Sequence, residues 1–337
     1  MTSLAVEFPA RDQVRLITTP IDGSPLKPLE ALIVAETSVI SSGTELARLR
    51  GIEAGATFPC LPGYGAVGRI ADLGAGMDGF AIGQRVFFAG RHAARQRFTH
   101  GADHEWGWLF PVPDGLDPVD AAIGCMARIA VTAPQVTELQ PGDTVAVFGL
   151  GIVGLIAAQL YRIRGARVIG VDPVASRCAL ARRLGIAETI DVAPAGQVAA
   201  LRALTGGAGA AVTVDAAGHS AVVAACVAAT ATLGQVVLLG TPRAPHQADM
   251  TATMLVVHER GLTLRGAHMW RFPLRAARGV PFSVEQAFAA VYALIADGRL
   301  RLRELVSHVI APGRAPEAYA GLAERPAEWT GVVIDWR

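Results

Sequence analysis

The chain has 337 residues, 52% of them hydrophobic and 18% charged, and its 30 basic and 29 acidic side chains leave a formal net charge of +1. That length suits about two domains of roughly 100–200 residues each, with enough buried surface to fold without a metal or disulfide staple. The balanced charge excludes a general nucleic-acid binder. Lys27, set among prolines, is the only lysine, and asparagine is absent. A phosphate loop needing lysine after glycine and an N-glycosylation site are thereby excluded, and the setting of Lys27 argues against a Schiff-base lysine.

In chain order, Met1 to Pro9 carries Glu7 and lacks the basic segment and long apolar run of a signal peptide, so a cytoplasmic protein is expected. The first 120 residues or so are rich in Gly and Pro, with short β-like runs at 29–34, 68–73 and 85–88, and predict a compact β domain. Residues 119–133 form an apolar, helix-like run. From Thr144 the pattern alternates: strands at 144–148, 167–171, 189–192, 211–215 and 235–239 enclose helices at 152–164, 176–184, 197–204 and 220–230. This is an α/β, doubly wound parallel sheet, its strands nearly continuous in hydrophobicity because both faces are covered. A further strand at 262–265, a helix at 283–297 and a β-α-β tail ending at 331–335 complete the chain, the tail returning to the first domain. The longest uncharged stretch, 144–161, contains three glycines and reads as strand, turn and helix, not as a membrane span. The cysteines, Cys60, Cys125, Cys178 and Cys226, form no C-x-x-C pair, which argues for four reduced thiols and against a zinc knuckle.

Gly149-Leu150-Gly151-Ile152-Val153-Gly154 is a G-x-G-x-x-G placed directly between a strand and a helix. The first glycine permits the tight turn, the second lets backbone approach a pyrophosphate, and the third allows close helix–strand packing. The helix N-terminus offers free N–H groups to the phosphates. Asp172 ends the next strand, 23 residues after Gly149, near the expected interval of about 20 for an acid that accepts the ribose hydroxyls. A 2′-phosphate would meet its carboxylate, so NAD(H) is expected over NADP(H). Arg177 points the other way, since it offers a phosphate a partner.

The chain resembles the medium-chain dehydrogenase/reductase superfamily, the zinc alcohol dehydrogenases and their relatives. The likeness covers essentially the whole length. It rests on Pro62-Gly63-Tyr64-Gly65-Ala66-Val67-Gly68, Gly83-Gln84-Arg85-Val86, Pro113-Asp114-Gly115-Leu116, Leu139-Gln140-Pro141-Gly142-Asp143, the dinucleotide turn, and Ala315-Pro316-Glu317-Ala318-Tyr319. It implies a GroES-like β-barrel catalytic domain from residues 1–120 and 268–337, with a Rossmann NAD-binding domain, 121–267, inserted between. Pro173, Ala217, Gly240, Thr241, Ala267 and His268 join the glycine turn, Asp172 and Arg177 as expected cofactor contacts. A homodimer or homotetramer acting on a small molecule, without nucleic acid or membrane, is implied as well. Pairing is expected through the edge of the Rossmann sheet around 255–266.

The departures from the family pattern concern zinc. Ser42 stands at the cysteine ligand position, Tyr64 at the histidine and Gly65 at the acid, leaving Cys125 as a lone thiol where three protein ligands are needed. Residues 61–124 hold no cysteine for a structural zinc either. No metal is expected, and another group must then stabilise the developing alkoxide. Tyr64 is expected to point at the nicotinamide pocket and to donate a hydrogen bond or, with a lowered pKa, to act as base. Thr44 matches the family's proton-relay hydroxyl, and Glu45 orients it or closes the pocket. His92 is expected on a loop overhanging the substrate, where an imidazole shuttles protons near neutral pH. Ser42, Cys125, Trp106 and Trp270 are candidate pocket residues, while His308 is expected to close a structural turn. The implied activity is zinc-independent, NAD(H)-dependent hydride transfer between an alcohol and its ketone or aldehyde. A quinone or enoyl reductase and a catalytically silent NAD(P)H-binding protein are the alternatives. The Ser-Gly-Thr-Glu turn also resembles a branch that includes bacteriochlorophyllide dehydrogenases, a local likeness that fixes no substrate.

Overall fold

The computed structural model describes residues 1–53, 55–101, 107–242 and 246–337. The chain divides into two compact units, Met1–Cys125 with Phe288–Arg337, and Met126–Ala287. Both boundaries fall later in the chain than the domain limits expected from sequence. The first unit starts with β1 (Thr2–Glu7), β2 (Arg15–Pro20), β3 (Glu30–Ile40) and α1 (Ser42–Leu49), followed by β4 (Ala66–Leu73), β5 (Arg85–Phe88), β6 (Arg95–Thr99) and β7 (Phe110–Pro111). The helix α2 (Pro118–Ala130) carries the chain into the second unit. There α3 (Thr132–Val136), β8 (Thr144–Phe148), α4 (Ile152–Ile163), β9 (Arg167–Val171), α5 (Ala175–Arg183) and β10 (Glu188–Ile190) come first. Next are α6 (Pro194–Leu204), β11 (Ala210–Asp215), α7 (Ser220–Ala229), β12 (Thr230–Leu238), α8 (Met250–Arg260) and β13 (Thr263–Gly266). The chain returns through α9 (Val284–Ala296) to β14 (Val306–Ile310), α10 (Ala315–Glu324) and β15 (Gly331–Asp335).

The second unit is a six-stranded parallel sheet in the order β10-β9-β8-β11-β12-β13. The order runs outward from β8 in both directions, so the crevice for a ligand lies beyond the carboxyl ends of β8 and β11, where the winding reverses. The β-branched strands bury both faces; Ala146, Phe148, Ile169, Val171 and Val236 pack with Leu201, Cys226 and Val227 of the helices. The first unit holds a seven-stranded mixed sheet, β14-β15-β3-β4-β5-β7, with β6 also pairing β3, and a separate β1–β2 ribbon. Its tail strands sit inside that sheet: β15 pairs antiparallel with β3, register Val333 to Val39, which joins the two chain ends. Ile40, Phe8, Tyr319, Leu322 and Trp329 form the core beneath.

Several expected elements differ in extent. The apolar run at 119–133 is two helices, because Pro134 has no N–H to continue the ladder and the chain breaks at Val131. The strand expected at 235–239 begins at Thr230, its register irregular around Leu233, which has φ +61°. Two helices carried no sequence signal. Of these, α8 has no fully buried residue and sets only Val256 and Val257 against the core, although Asp249 caps it by accepting the Thr251 N–H at 2.8 Å and Gly261 ends it left-handed. The four cysteines are free thiols. No described helix is long and apolar enough to cross a membrane.

Candidate functional site

The glycine turn of the second unit joins β8 to α4. Gly149 has φ +94°, a left-handed conformation that a side chain disfavours, and a Cβ there would lie 2.9 Å from the Ala217 nitrogen. A Cβ on Gly154 would run into the carbonyl oxygen of Gly149, so the helix can approach the turn only with glycine at that position. A Cβ on Gly151 would instead meet open space, leaving backbone accessible where a pyrophosphate would lie. The first N–H groups of α4 have no intrahelical acceptor and carry the positive end of the helix dipole.

Asp172 follows β9 and is 2% exposed. Its Oδ2 accepts the Leu150 N–H at 2.8 Å and its Oδ1 the Val174 N–H at 2.9 Å, tying it to the middle of the glycine turn. Arg177 Nη1 lies 3.3 Å from the same Oδ2. Pro173, Ala217 and Thr241 are exposed after the ends of β9, β11 and β12, and Gly240 is half-buried. Gly240 donates to the Asp215 carbonyl at 2.7 Å, and Ala267 donates to that of Leu238 at 3.0 Å. Asp215 gave no signal beyond a strand-end acid before Ala-Ala-Gly, yet its Oδ1 receives the N–H groups of Ala217 and Gly218, both at 3.0 Å. Burial pushes its carboxyl up while those two donors pull it down. His268 is exposed, and Trp270 lies under the Arg128 guanidinium, 5.4 Å from the ring centre.

The first unit gathers the remaining candidates. Ser41 ends β3 and caps α1, but its hydroxyl makes no cap bond because Tyr64 donates to it. Glu45, in the first turn of α1, reaches back and accepts the Ser41 N–H at 2.8 Å through Oε1, a role related to the capping box. Its Oε2 accepts from the Tyr319 hydroxyl at 2.5 Å and lies 2.9 Å from His92 Nε2. The other ring nitrogen of His92 is 2.8 Å from Ser38 Oγ, which also accepts from Trp336 Nε1 at 2.9 Å. Gly63, at φ +105°, allows the chain to pass His92, whose nitrogen would sit 2.6 Å from a Cβ there.

His92 is therefore a correction to the sequence reading. It was expected on a loop overhanging substrate; it is 0% exposed, with both ring nitrogens engaged and its backbone bonded to Pro62 and Val6. Glu45, 2% exposed, faces inward with it. The expectation of a lowered Tyr64 pKa is also overturned. Burial first, then the proximity of Cys125, push the phenol up to about 12, against the opposing hydrogen bonds of Ser41 and Thr44. Tyr64 stays protonated across the physiological range and serves as a hydrogen-bond donor, not as a base. Tyr64, Thr44 and Ser42 are half-buried, so these residues are less enclosed than Glu45 and His92. Cys125 is wholly buried; its sulfur would be 3.1 Å from a Cβ at Gly65, so the thiol fills the volume an acidic side chain would need. Trp106 lies outside the described residues. His308 stacks flat on Trp329, ring centres 3.7 Å apart. Ser38, Ser41, Tyr319 and Trp336 were missed, because nothing local marks a hydrogen-bond partner separated by up to 298 positions.

Comparison with known proteins agrees with this geometry. Residues 153–279 match the family model for a zinc-binding dehydrogenase domain. Over 172 residues the chain is 33% identical to the D-guloside 3-dehydrogenase of Escherichia coli, covering 51% of this chain and 47% of that protein. A zinc-binding dehydrogenase structure from Sinorhizobium meliloti bound to NADP superposes with a TM-score of 0.82, 21% identity and 99% coverage of both chains. A short chain alcohol dehydrogenase structure from Escherichia coli complexed with NADH gives 0.82, 16% and 99% of both. These two share the fold. The matched segments are similar to dehydrogenases of the medium-chain dehydrogenase/reductase superfamily. The chain spans about two-fifths to two-thirds of the length of the curated relatives it matches.

The family model's description raises zinc, and the donors at the positions in question do not suit it. Ser42 offers a neutral hydroxyl, Tyr64 a phenol bonded to Ser41, Gly65 no side chain, and Cys125 a thiol packed against Gly65. Among the described residues no three His, Cys, Asp or Glu side chains are grouped to hold a metal ion. The nicotinamide dinucleotide does suit the second unit, whose open Gly151 backbone and strand-end Asp172 match what a pyrophosphate and a ribose require.

Proposed function

We propose that this protein is an alcohol dehydrogenase-like oxidoreductase that uses NAD(H) and no catalytic zinc. The observation that carries the cofactor half is the glycine turn with Asp172 fastened to Leu150. Bound there, the dinucleotide supplies a hydride acceptor or donor at nicotinamide C4, exchanging with a carbinol carbon. The α4 N-terminus and the 149–154 backbone hold the pyrophosphate, and Asp172 accepts the adenosine ribose hydroxyls. Asp172 supports NAD(H) because a 2′-phosphate would have to approach its carboxylate, a repulsion that the paired Arg177 offsets only in part. In the first unit Tyr64 acts as donor to the substrate oxygen. Thr44 and Ser41 hold its hydroxyl and relay the proton. Glu45 and His92, closed off from solvent, act as positioning residues that fix the start of α1.

A small-molecule alcohol or carbonyl compound is the proposed substrate, handled in the cytoplasm. The protein is proposed to assemble as a homodimer or homotetramer through β13, an edge strand with Leu264 exposed. Sedimentation showing a monomer at micromolar concentration would remove that assembly. Titration with NADH should raise the melting temperature by more than NADPH at equal concentration; the reverse order would retract the Asp172 argument. A screen of NAD reduction across alcohols and polyols, with metal analysis on the same protein, tests the rest. Turnover by protein containing less than about one-tenth equivalent of zinc is expected, and activity that tracks bound zinc would defeat the zinc-free claim.

A further inference from the structure

Beside the Tyr64 turn, within the first unit, lies a second recess. A cavity of about 430 Å³ is lined by Arg48, Thr57, Cys60 and Arg91, with Gly55 and Ala56 forming a small-residue wall. Arg48 projects from the last turn of α1, three residues after Glu45. Arg91 sits between β5 and His92, and its Nη1 donates to the carbonyl of Gly63 at 3.4 Å. The backbone at Arg91 is held at both ends, its N–H donating to Gln96 Oε1 at 2.9 Å and its carbonyl accepting from Gln96 Nε2 at 3.0 Å. Both guanidiniums are thus anchored on the elements that carry Glu45, Tyr64 and His92.

The charges in this recess do not balance. Arg48 is paired with Glu53 at 2.5 Å, whereas no carboxylate among the described residues lies within ion-pair distance of Arg91. The nearby Glu45 is committed to Ser41, His92 and Tyr319. Cys60 supplies no negative charge, since burial pushes its thiol up despite the two arginines. Burial and then repulsion from Arg48 lower the pKa of Arg91, as expected for two cations facing a common space. A group with several anionic oxygens would relieve that repulsion and take forked N–H donors from both guanidiniums.

We propose that this recess binds an oxyanion group of the substrate, a carboxylate or a phosphate, with Arg48 and Arg91 as its two cations. The protein's alcohol would then be an acidic one, a hydroxy acid or an alcohol phosphate, a statement that rests on the oxidoreductase reading above. The recess itself does not depend on that reading. Isothermal titration of the full-length protein with inorganic phosphate and, separately, with acetate provides the test. At least one probe should bind, and Arg48→Gln and Arg91→Gln should each weaken it about tenfold, the loss of one charge-assisted contact. Arg314→Gln, at the N-cap of α10 and outside the lining of the recess, should leave binding unchanged, and the better probe identifies carboxylate or phosphate. Failure of both probes to bind, or binding insensitive to both substitutions, overturns the proposal. In NAD reduction with matched pairs, a hydroxy acid against its methyl ester, Arg91→Gln should raise KM about tenfold for the acid alone and leave kcat in place. An equal KM rise for the neutral partner would also overturn it. The NADH-induced melting shift should be the same in wild type and Arg91→Gln. Its absence from wild type would defeat the oxidoreductase reading, while the phosphate and acetate titrations would still decide the recess.

Discussion

Replacing Glu45 by alanine separates a structural acid from a catalytic one. In the folded protein its carboxylate satisfies the Ser41 N–H at 2.8 Å, His92 Nε2 at 2.9 Å and the Tyr319 hydroxyl at 2.5 Å. The first two partner residues, like Glu45 itself, are less than one-tenth exposed, and Tyr319 is 1% exposed, so water does not readily replace the lost acceptor. Each buried group left without a partner costs roughly 1–3 kcal/mol, and the three are not independent. A net destabilisation of about 4 kcal/mol follows, a large share of the roughly 5–15 kcal/mol that holds a typical domain together. It corresponds to a fall of about 10 °C in melting temperature. Tyr319→Phe removes one of the three contacts and leaves an apolar ring, so about 1 kcal/mol is expected. Urea denaturation followed by tryptophan fluorescence measures both, since Trp336 belongs to the same network. If Glu45→Ala stays within about 1 kcal/mol of wild type with an unchanged denaturant slope, the carboxylate is not the hub described here. Unaltered stability with abolished turnover would return Glu45 to the chemistry.

Other substitutions test the two units separately. Tyr64→Phe should lower turnover about a hundredfold with a smaller effect on KM, and full activity in steady-state assays would move the donor elsewhere. Because burial raises the Tyr64 pKa from 10.0 to about 12, the folded state holds this proton more tightly than the unfolded chain. Its contribution to stability is present below pH 10 and is lost as pH rises to about 12, so denaturant midpoints should fall across that window in wild type and less in Tyr64→Phe. Asp172→Ala removes the acceptor of Leu150 and Val174 and should weaken NADH binding by about tenfold or more, read by fluorescence titration. Unchanged affinity would count against the ribose contact. Gly154→Ala places a methyl against the Gly149 carbonyl and should destabilise the second unit by about 2 kcal/mol, with a loss of NADH binding.

How legible each half was follows from how far apart its parts lie in the chain. The predicted strands at 144–148 and 167–171 coincide with β8 and β9, and the helix after the glycine turn ends one residue early. These elements announce themselves because buried parallel strands are apolar throughout and the turn needs glycine for reasons visible within six residues. Elements without a fully buried face did not: α8 rests only the half-buried Val256 and Val257 on the core, and α1 was taken for a ligand turn. His92 shows the limit most clearly. A histidine after a strand reads as a solvent-facing loop residue, and only the packing of β1, β3 and α1 around it converts it into a buried partner of Glu45.

The sequence by itself marked the glycine turn and the alternation of strand and helix in the second unit. Each of those is a local matter of residue type and spacing. The tertiary structure alone decided which polar groups face solvent and which face one another. It turned Glu45 and His92 inward, left Tyr64 and Thr44 half-buried, and set Arg48 and Arg91 on one recess. The reason is that a buried donor must find an acceptor wherever the fold supplies one. For this cluster the acceptors come from Ser38 to Glu45 and the donors from as far as Tyr319 and Trp336.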